Sequence, residues 1–170
     1  ADFFEGVAKV TQNFKSLERS STLFLRLILL VLTIGVLVLC GFLLYQIIQS
    51  DSLGYYRPIL MGLVISAIPL FYIFYQAYNL LNNIDNNLSL TDSSVNSLRI
   101  IKICSFLISL MYLIGSPFIF NVAQQDDAPG VVLINIILIM GPFSVGVFTY
   151  ILQKLLINAI GYKSENELTI

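Results

Sequence analysis

Four intervals of this chain contain no Asp, Glu, Lys or Arg: between Arg26 and Asp51, between Arg57 and Asp85, between Lys102 and Asp126, and between Asp127 and Lys154. Each exceeds the roughly 20 residues that carry an α-helix across about 30 Å of hydrocarbon. The runs are continuously apolar and do not alternate. Four strands could not close a barrel, so backbone groups inside the bilayer must be satisfied within helices. The sequence predicts an all-α integral membrane protein, a four-helix antiparallel transmembrane bundle with spans at 23–47, 58–78, 100–122 and 131–152. Composition agrees: 11% of residues are charged, against roughly 25% in soluble domains. The membrane domain is expected over 19–160, followed by a cytoplasmic tail at 161–170.

Orientation follows from the cations. Lys9, Lys15, Arg19, Arg26, Arg99, Lys102, Lys154 and Lys163 flank one side of the spans, and Arg57 alone flanks the other. The positive-inside rule then places both termini and the 82–99 connection in the cytoplasm. Arg26 and Lys102 lie near span ends, where long side chains can snorkel to the interface. A cleaved lipoprotein signal ending at Cys40 is excluded, because Leu39 stands where a small residue is wanted and the apolar run continues past it.

Residues 1–18 differ in kind. Phe3, Phe4, Val7, Val10 and Phe14 recur at helical spacing with charges between them, the pattern of an amphipathic helix lying on the membrane surface. A processed leader segment is the other reading, and the residues leave both open.

The middle of every span lacks ionisable groups, which argues against a proton relay, a voltage sensor or an intramembrane aspartyl protease. There is no histidine, hence no Ser/His or Cys/His pair and no His-bearing metal site. No glycine-rich phosphate loop occurs. A serine–lysine dyad of Ser105 with Lys102 is reachable on one helix turn, but nothing else supports it. No basic cluster suits direct nucleic-acid binding. A non-enzymatic protein without cofactor or metal is expected. Cys40 and Cys104 both fall inside apolar runs, where thiols serve as small packing residues.

Milder features remain. Pro69, Pro117 and Pro142 lie within spans, where each removes a backbone hydrogen bond. Tyr72, Gln76, Asn79 and Asn83 share one stripe at the inner end of span two, and Thr149 and Gln153 lie at comparable depth on span four. That set reads as interhelical hydrogen bonding within an aromatic belt, or as a polar pocket for a small ligand or partner. Asn135 reads as a residue bonding one helix to another. In "QQDDAPG", Asp127 is expected to cap the helix that Pro129 opens. Asp126 is then free to pair with Arg57 across the outer face, or to meet a cation or cationic peptide. The C-terminal segment continues span four as a helix to about Ile160. Beyond it, Lys154, Glu165, Glu167, Leu168 and Ile170 are candidate partner-docking residues, with a frayed solvated tail as the alternative.

The strings "RSSTLFLRL", "AIPLFYIFYQAYNLL", "RIIKICSFLISLMYLIGSPF", "DDAPG" and "LQKLLINAIGYKSENELTI" resemble a family of small four-span bacterial membrane proteins, commonest in Firmicutes and catalogued as a domain of unknown function. The resemblance covers 19–170. It implies a multi-pass protein of the bacterial cytoplasmic membrane, in contact with lipid and encoded near a Cro/CI-type helix-turn-helix regulator or within a bacteriocin cluster. Three functions follow as expectations. The first is an interaction protein that senses or tethers that cytoplasmic DNA-binding regulator. The second is an immunity protein that intercepts a cationic, membrane-active peptide at Asp126, Asp127 and Arg57. The third is a small-molecule carrier, and the residues leave oligomerisation open.

Overall fold

The computed structural model describes residues 2–169. Helix α1 spans Asp2–Gln49, and a short 3-10 segment follows at Asp51–Tyr56. Helices α2, α3 and α4 span Arg57–Asp85, Asp92–Gln125 and Pro129–Leu168. Four helical segments are long and apolar enough to cross a membrane, and no strand occurs among the described residues. The chain is an all-α, four-helix membrane protein. Its short connections make successive helices antiparallel, so α1 begins and α4 ends on one side. That side is called inner below, and the opposite side outer.

Every helix outruns the apolar run that announced it. α2 continues past Tyr78 to Asp85, and α3 starts at Asp92 instead of Ile100. The expected 82–99 loop is therefore mostly helix. α4 likewise passes Ile160 and reaches Leu168. Hydropathy marks where a helix meets hydrocarbon; backbone hydrogen bonding continues beyond that limit wherever no proline or glycine stops it. The expected segment 1–18 is continuous with span one from Asp2 onward.

The helices form an open row. α3 packs on α4 most extensively, α2 on α3 next, and α1 on α2 least. α1 shows a seam that starts at Thr22, Arg26, Leu29 and Thr33 and runs in alternating steps of four and three to Ile47. This is the 3.5-residue period of a helix held along a single neighbour. Only Thr22 and Ile47 on α1 are buried.

α3 is the axis of the fold, and four of its nine buried residues are serines. Ser94, Ser97, Ser105 and Ser109 are all buried there, while Leu107, Leu110, Leu113 and Ile114 point outward and are exposed. Lipid tails are as apolar as leucine, so burying leucine between helices gains little; small residues gain close approach and interhelical hydrogen bonds. Gly146 of α4 supplies the tightest contact. A Cβ there would come within 3.0 Å of the Phe106 ring on α3.

Candidate functional site

On the inner side, two cations clamp the row. Arg26 of α1 places Nη2 2.7 Å from Asp85 Oδ2 on α2, each side chain 28% exposed. The same nitrogen donates to Asn82 Oδ1 at 3.3 Å, and the guanidinium lies over the Tyr78 ring. Lys102 of α3 donates to Gln153 Oε1 on α4 at 2.8 Å and sits over the Tyr150 ring. Neither cation snorkels away from the protein; each finds an acceptor and an aromatic face on the neighbouring helix. Lys102 is thus engaged across the interface, while the Ser105 hydroxyl is fully buried without a partner.

The inner stripe is divided by this arrangement. Asn83 donates to Ser93 and Ser94 at the start of α3. Gln153 serves Lys102, and the Thr149 hydroxyl donates to Val145 on its own helix. Gln76 is buried, Tyr72 is exposed and stacks on Tyr75, and Asn79 is half-buried. Of the six residues of the stripe, Asn83 of α2 and Gln153 of α4 bond to α3, each on its own interface. Lys154, Glu165, Glu167 and Leu168 lie on the inner extension of α4 and are exposed. Ile170 lies outside the described residues.

The outer corner departs from expectation. Ala128, not Asp127, occupies the N-cap of α4, and no side chain caps it. The two aspartates end α3 instead. Asp126 is its C-cap, Asp127 takes the left-handed conformation at φ 48°, and the Ala128 N–H reaches back to the Ala123 carbonyl at 3.0 Å. This is a Schellman ending. The same ending closes α2, where Asn87 has φ 57° and the Leu88 N–H donates to the Asn83 carbonyl. Asp126 accepts a hydrogen bond from the Tyr56 hydroxyl, not from Arg57. Tyr56 precedes α2 directly, so that bond ties the start of α2 to the end of α3. The only salt bridge among the described residues is Arg26–Asp85, which leaves Arg57 exposed and outside any ion pair.

Between these two levels, in the outer half, α2, α3 and α4 line a half-open cavity of about 350 Å³. Its wall is apolar except for Tyr112 and Asn135, and it is roomy because Gly62 and Gly115 line it. A Cβ at either glycine would meet nothing within 4 Å. The polar groups around it form a directed network. Asn135 Nδ2 lies 2.9 Å from Ser116 Oγ, and the Tyr112 hydroxyl lies 2.7 Å from Ser66 Oγ. Nearby, Ser109 of α3 donates to the Ile139 carbonyl of α4 at 3.0 Å, three residues before Pro142. These serines, Tyr112 and the cavity itself are the features that reading the sequence missed. The serine spacing on α3 was a usable signal; the cavity was not, because three helices make it jointly.

Residues 51–170 match the family described as "Protein of unknown function (DUF2975)". The chain belongs to this family. The DUF2975 match begins at the 3-10 segment and so covers the packed unit of α2, α3 and α4 while leaving out α1. The chain is also similar to the "Uncharacterized membrane protein YoaS" of Bacillus subtilis (strain 168), at 37% identity over 160 residues that cover 91% of this chain and all of that protein. No solved structure matches.

Proposed function

We propose that this DUF2975 protein is a non-enzymatic interaction protein of the bacterial cytoplasmic membrane, with both termini inside, that holds a small helix-turn-helix regulator at its cytoplasmic face. The observation that carries this reading is the inner extension of α4, an unbroken helix to Leu168 whose residues from Lys154 onward are mostly exposed. At 1.5 Å per residue, the 40 residues of α4 extend about 60 Å, twice the hydrocarbon thickness. A helix of that length offers a partner a preformed face and spares the complex the cost of ordering a flexible peptide. The eight cations on this side support the orientation.

The test is co-purification from native membranes, comparing the full chain with a deletion of residues 164–170. A helix-turn-helix protein retained by the full chain and lost on deletion supports the reading; one retained equally by both overturns the assignment to this segment.

A second reading, interception of a cationic peptide on the outer face, is favoured by the outer corner. Neither aspartate is consumed in capping α4, and both sit at the negative end of the α3 dipole, where they reinforce its field. An Asp126→Ala/Asp127→Ala double variant that expresses normally and loses protection against such a peptide would support it; undiminished protection would end it.

A further inference from the structure

α1 carries two stripes on nearly opposite faces. The seam toward α2 runs in steps of four and three from Ile47 back to Thr22. Carried further inward at the same phase, it meets Glu5, Ala8, Gln12, Lys15 and Arg19, all of them exposed. The apolar residues of this inner arm keep the same period at another phase: Phe3, Val7, Val10, Phe14 and Leu17, also exposed. At 3.5 residues per turn the two phases lie about 150° apart. α1 stands at the end of the row with α2 on its other side, so the apolar stripe faces away from its own chain.

The stripe also stands clear of the bilayer. α1 is unbroken from Asp2 to Gln49, with no proline and no glycine between Gly6 and Gly35, so the arm continues the axis of the span. Phe3 is then about 30 Å from Leu23 at 1.5 Å per residue. Phe3, Phe4 and Phe14 are between 64% and 78% exposed; at roughly 200 Å² apiece, with Val7, Val10 and Leu17 beside them, they form a patch larger than a typical monomer leaves in water. Two such arms together reach roughly 1,200 Å², where stable interfaces begin.

Charge placement selects the partner. With Phe3, Val10 and Leu17 at heptad position d and Val7 and Phe14 at a, the residues Asp2, Glu5, Lys9, Lys15 and Arg19 fall at b, c and f, turned to solvent in a coiled coil. Among the flanking e and g positions of the arm only Glu18 is charged. In a parallel pair it faces Asn13 of the other helix, whose amide can donate to it. No like charges oppose each other in that arrangement.

We propose that the inner arm of α1 pairs with the same segment of a second copy, as a parallel two-stranded coiled coil over residues 3–17. The membrane sets the direction: every copy is threaded the same way, so two identical stripes meet about a two-fold axis along the membrane normal. The phase continues into the span through Phe24, Ile28, Val31, Gly35 and Val38, all exposed, with Ser21 at the boundary. Ser21 and Gly35 are small, which lets the two backbones stay close as they enter the bilayer.

The experiment is disulfide cross-linking in native membranes, with single cysteines in a Cys40→Ala/Cys104→Ala chain. Val7→Cys, Val10→Cys and Phe14→Cys should form dimers at least tenfold faster than Ala8→Cys, Gln12→Cys and Lys15→Cys. Equal rates on both faces report random collision and overturn the proposal, as does the absence of cross-linking. Light scattering in detergent should find two copies of the full natural chain per particle. Val10→Glu/Phe14→Glu should leave one and Gln12→Glu two, with helix content unchanged because the substituted residues lie outside the bundle. A pair that survives the double variant overturns the proposal. A nitroxide at Val10 should be shielded from both oxygen and an aqueous nickel complex; one open to oxygen and shielded from nickel places the stripe on the membrane surface and overturns it too.

Discussion

α1 and α3 are both long, unbroken helices, yet they are attached in opposite ways. α3 is packed on two sides and buries nine residues, four of them serine. α1 touches chiefly one neighbour, buries two residues, and leaves open beside it a groove of about 710 Å³ walled by Phe71, Phe74, Tyr75 and Tyr78. Within lipid, apolar surface gives no reason for a helix to join others. What distinguishes the two is therefore the number of polar and close-packed contacts each makes, not hydrophobicity; the most apolar stretch of the chain lies in its least buried helix. α2, α3 and α4 form a unit that also coincides with the family match, and α1 is held to it along the seam from Thr22 to Ile47, with its one ion pair at Arg26.

The strongest way to break the contrast is to attack the unit itself. Gly146→Leu drives a side chain into the Phe106 ring and should cost about 1–3 kcal/mol of stability, read as an earlier midpoint of unfolding in mixed micelles followed by circular dichroism. An unchanged midpoint would mean that α3 and α4 are not closely packed. Next comes the attachment of α1. Asp85→Ala strips Arg26 of its anion, and at 28% exposure the loss should be about 2 kcal/mol, between the values for exposed and buried pairs. Spin labels at Leu25 and Leu155 should then show a broadened distance distribution, while labels at Phe118 and Leu133 should not. Broadening in both pairs would show that α1 is not a separable part. The smallest effect is expected at the outer corner. Asp127→Gly relieves a left-handed residue, worth about 1–2 kcal/mol, offset by roughly 0.5–1 kcal/mol of added chain entropy. The net is a gain of up to about 1.5 kcal/mol, visible as a later midpoint; a loss would mean that the carboxylate has a structural partner.

The four helices were legible because the bilayer turns fold into a matter of counting apolar residues. What the sequence hid follows from the same simplicity. "DDAPG" reads as a helix start because Asp before Pro is a common cap, but nothing local reveals that Asp127 will turn left-handed to finish α3 instead. Arg26 and Lys102 read as snorkelling because their partners, Asp85 and Gln153, are 59 and 51 positions away. The serines of α3 were legible at spacings of three and four, yet a search for ionisable groups passes over them. The cavity depends on side chains that Gly62 and Gly115 lack, and an absence carries meaning only once its surroundings are known.

The place where α1 is pinned has a mechanical consequence. Arg26 stands almost midway along Asp2–Gln49, with about 36 Å of helix toward one end and about 35 Å toward the other at 1.5 Å per residue. No proline interrupts it. The seam with α2 occupies the outer arm from Thr22 to Ile47, whereas every residue from Asp2 to Ser21 is exposed, so the outer arm is braced and the inner one is a cantilever: a change in bilayer thickness that tilts the braced arm swings the inner tip with it.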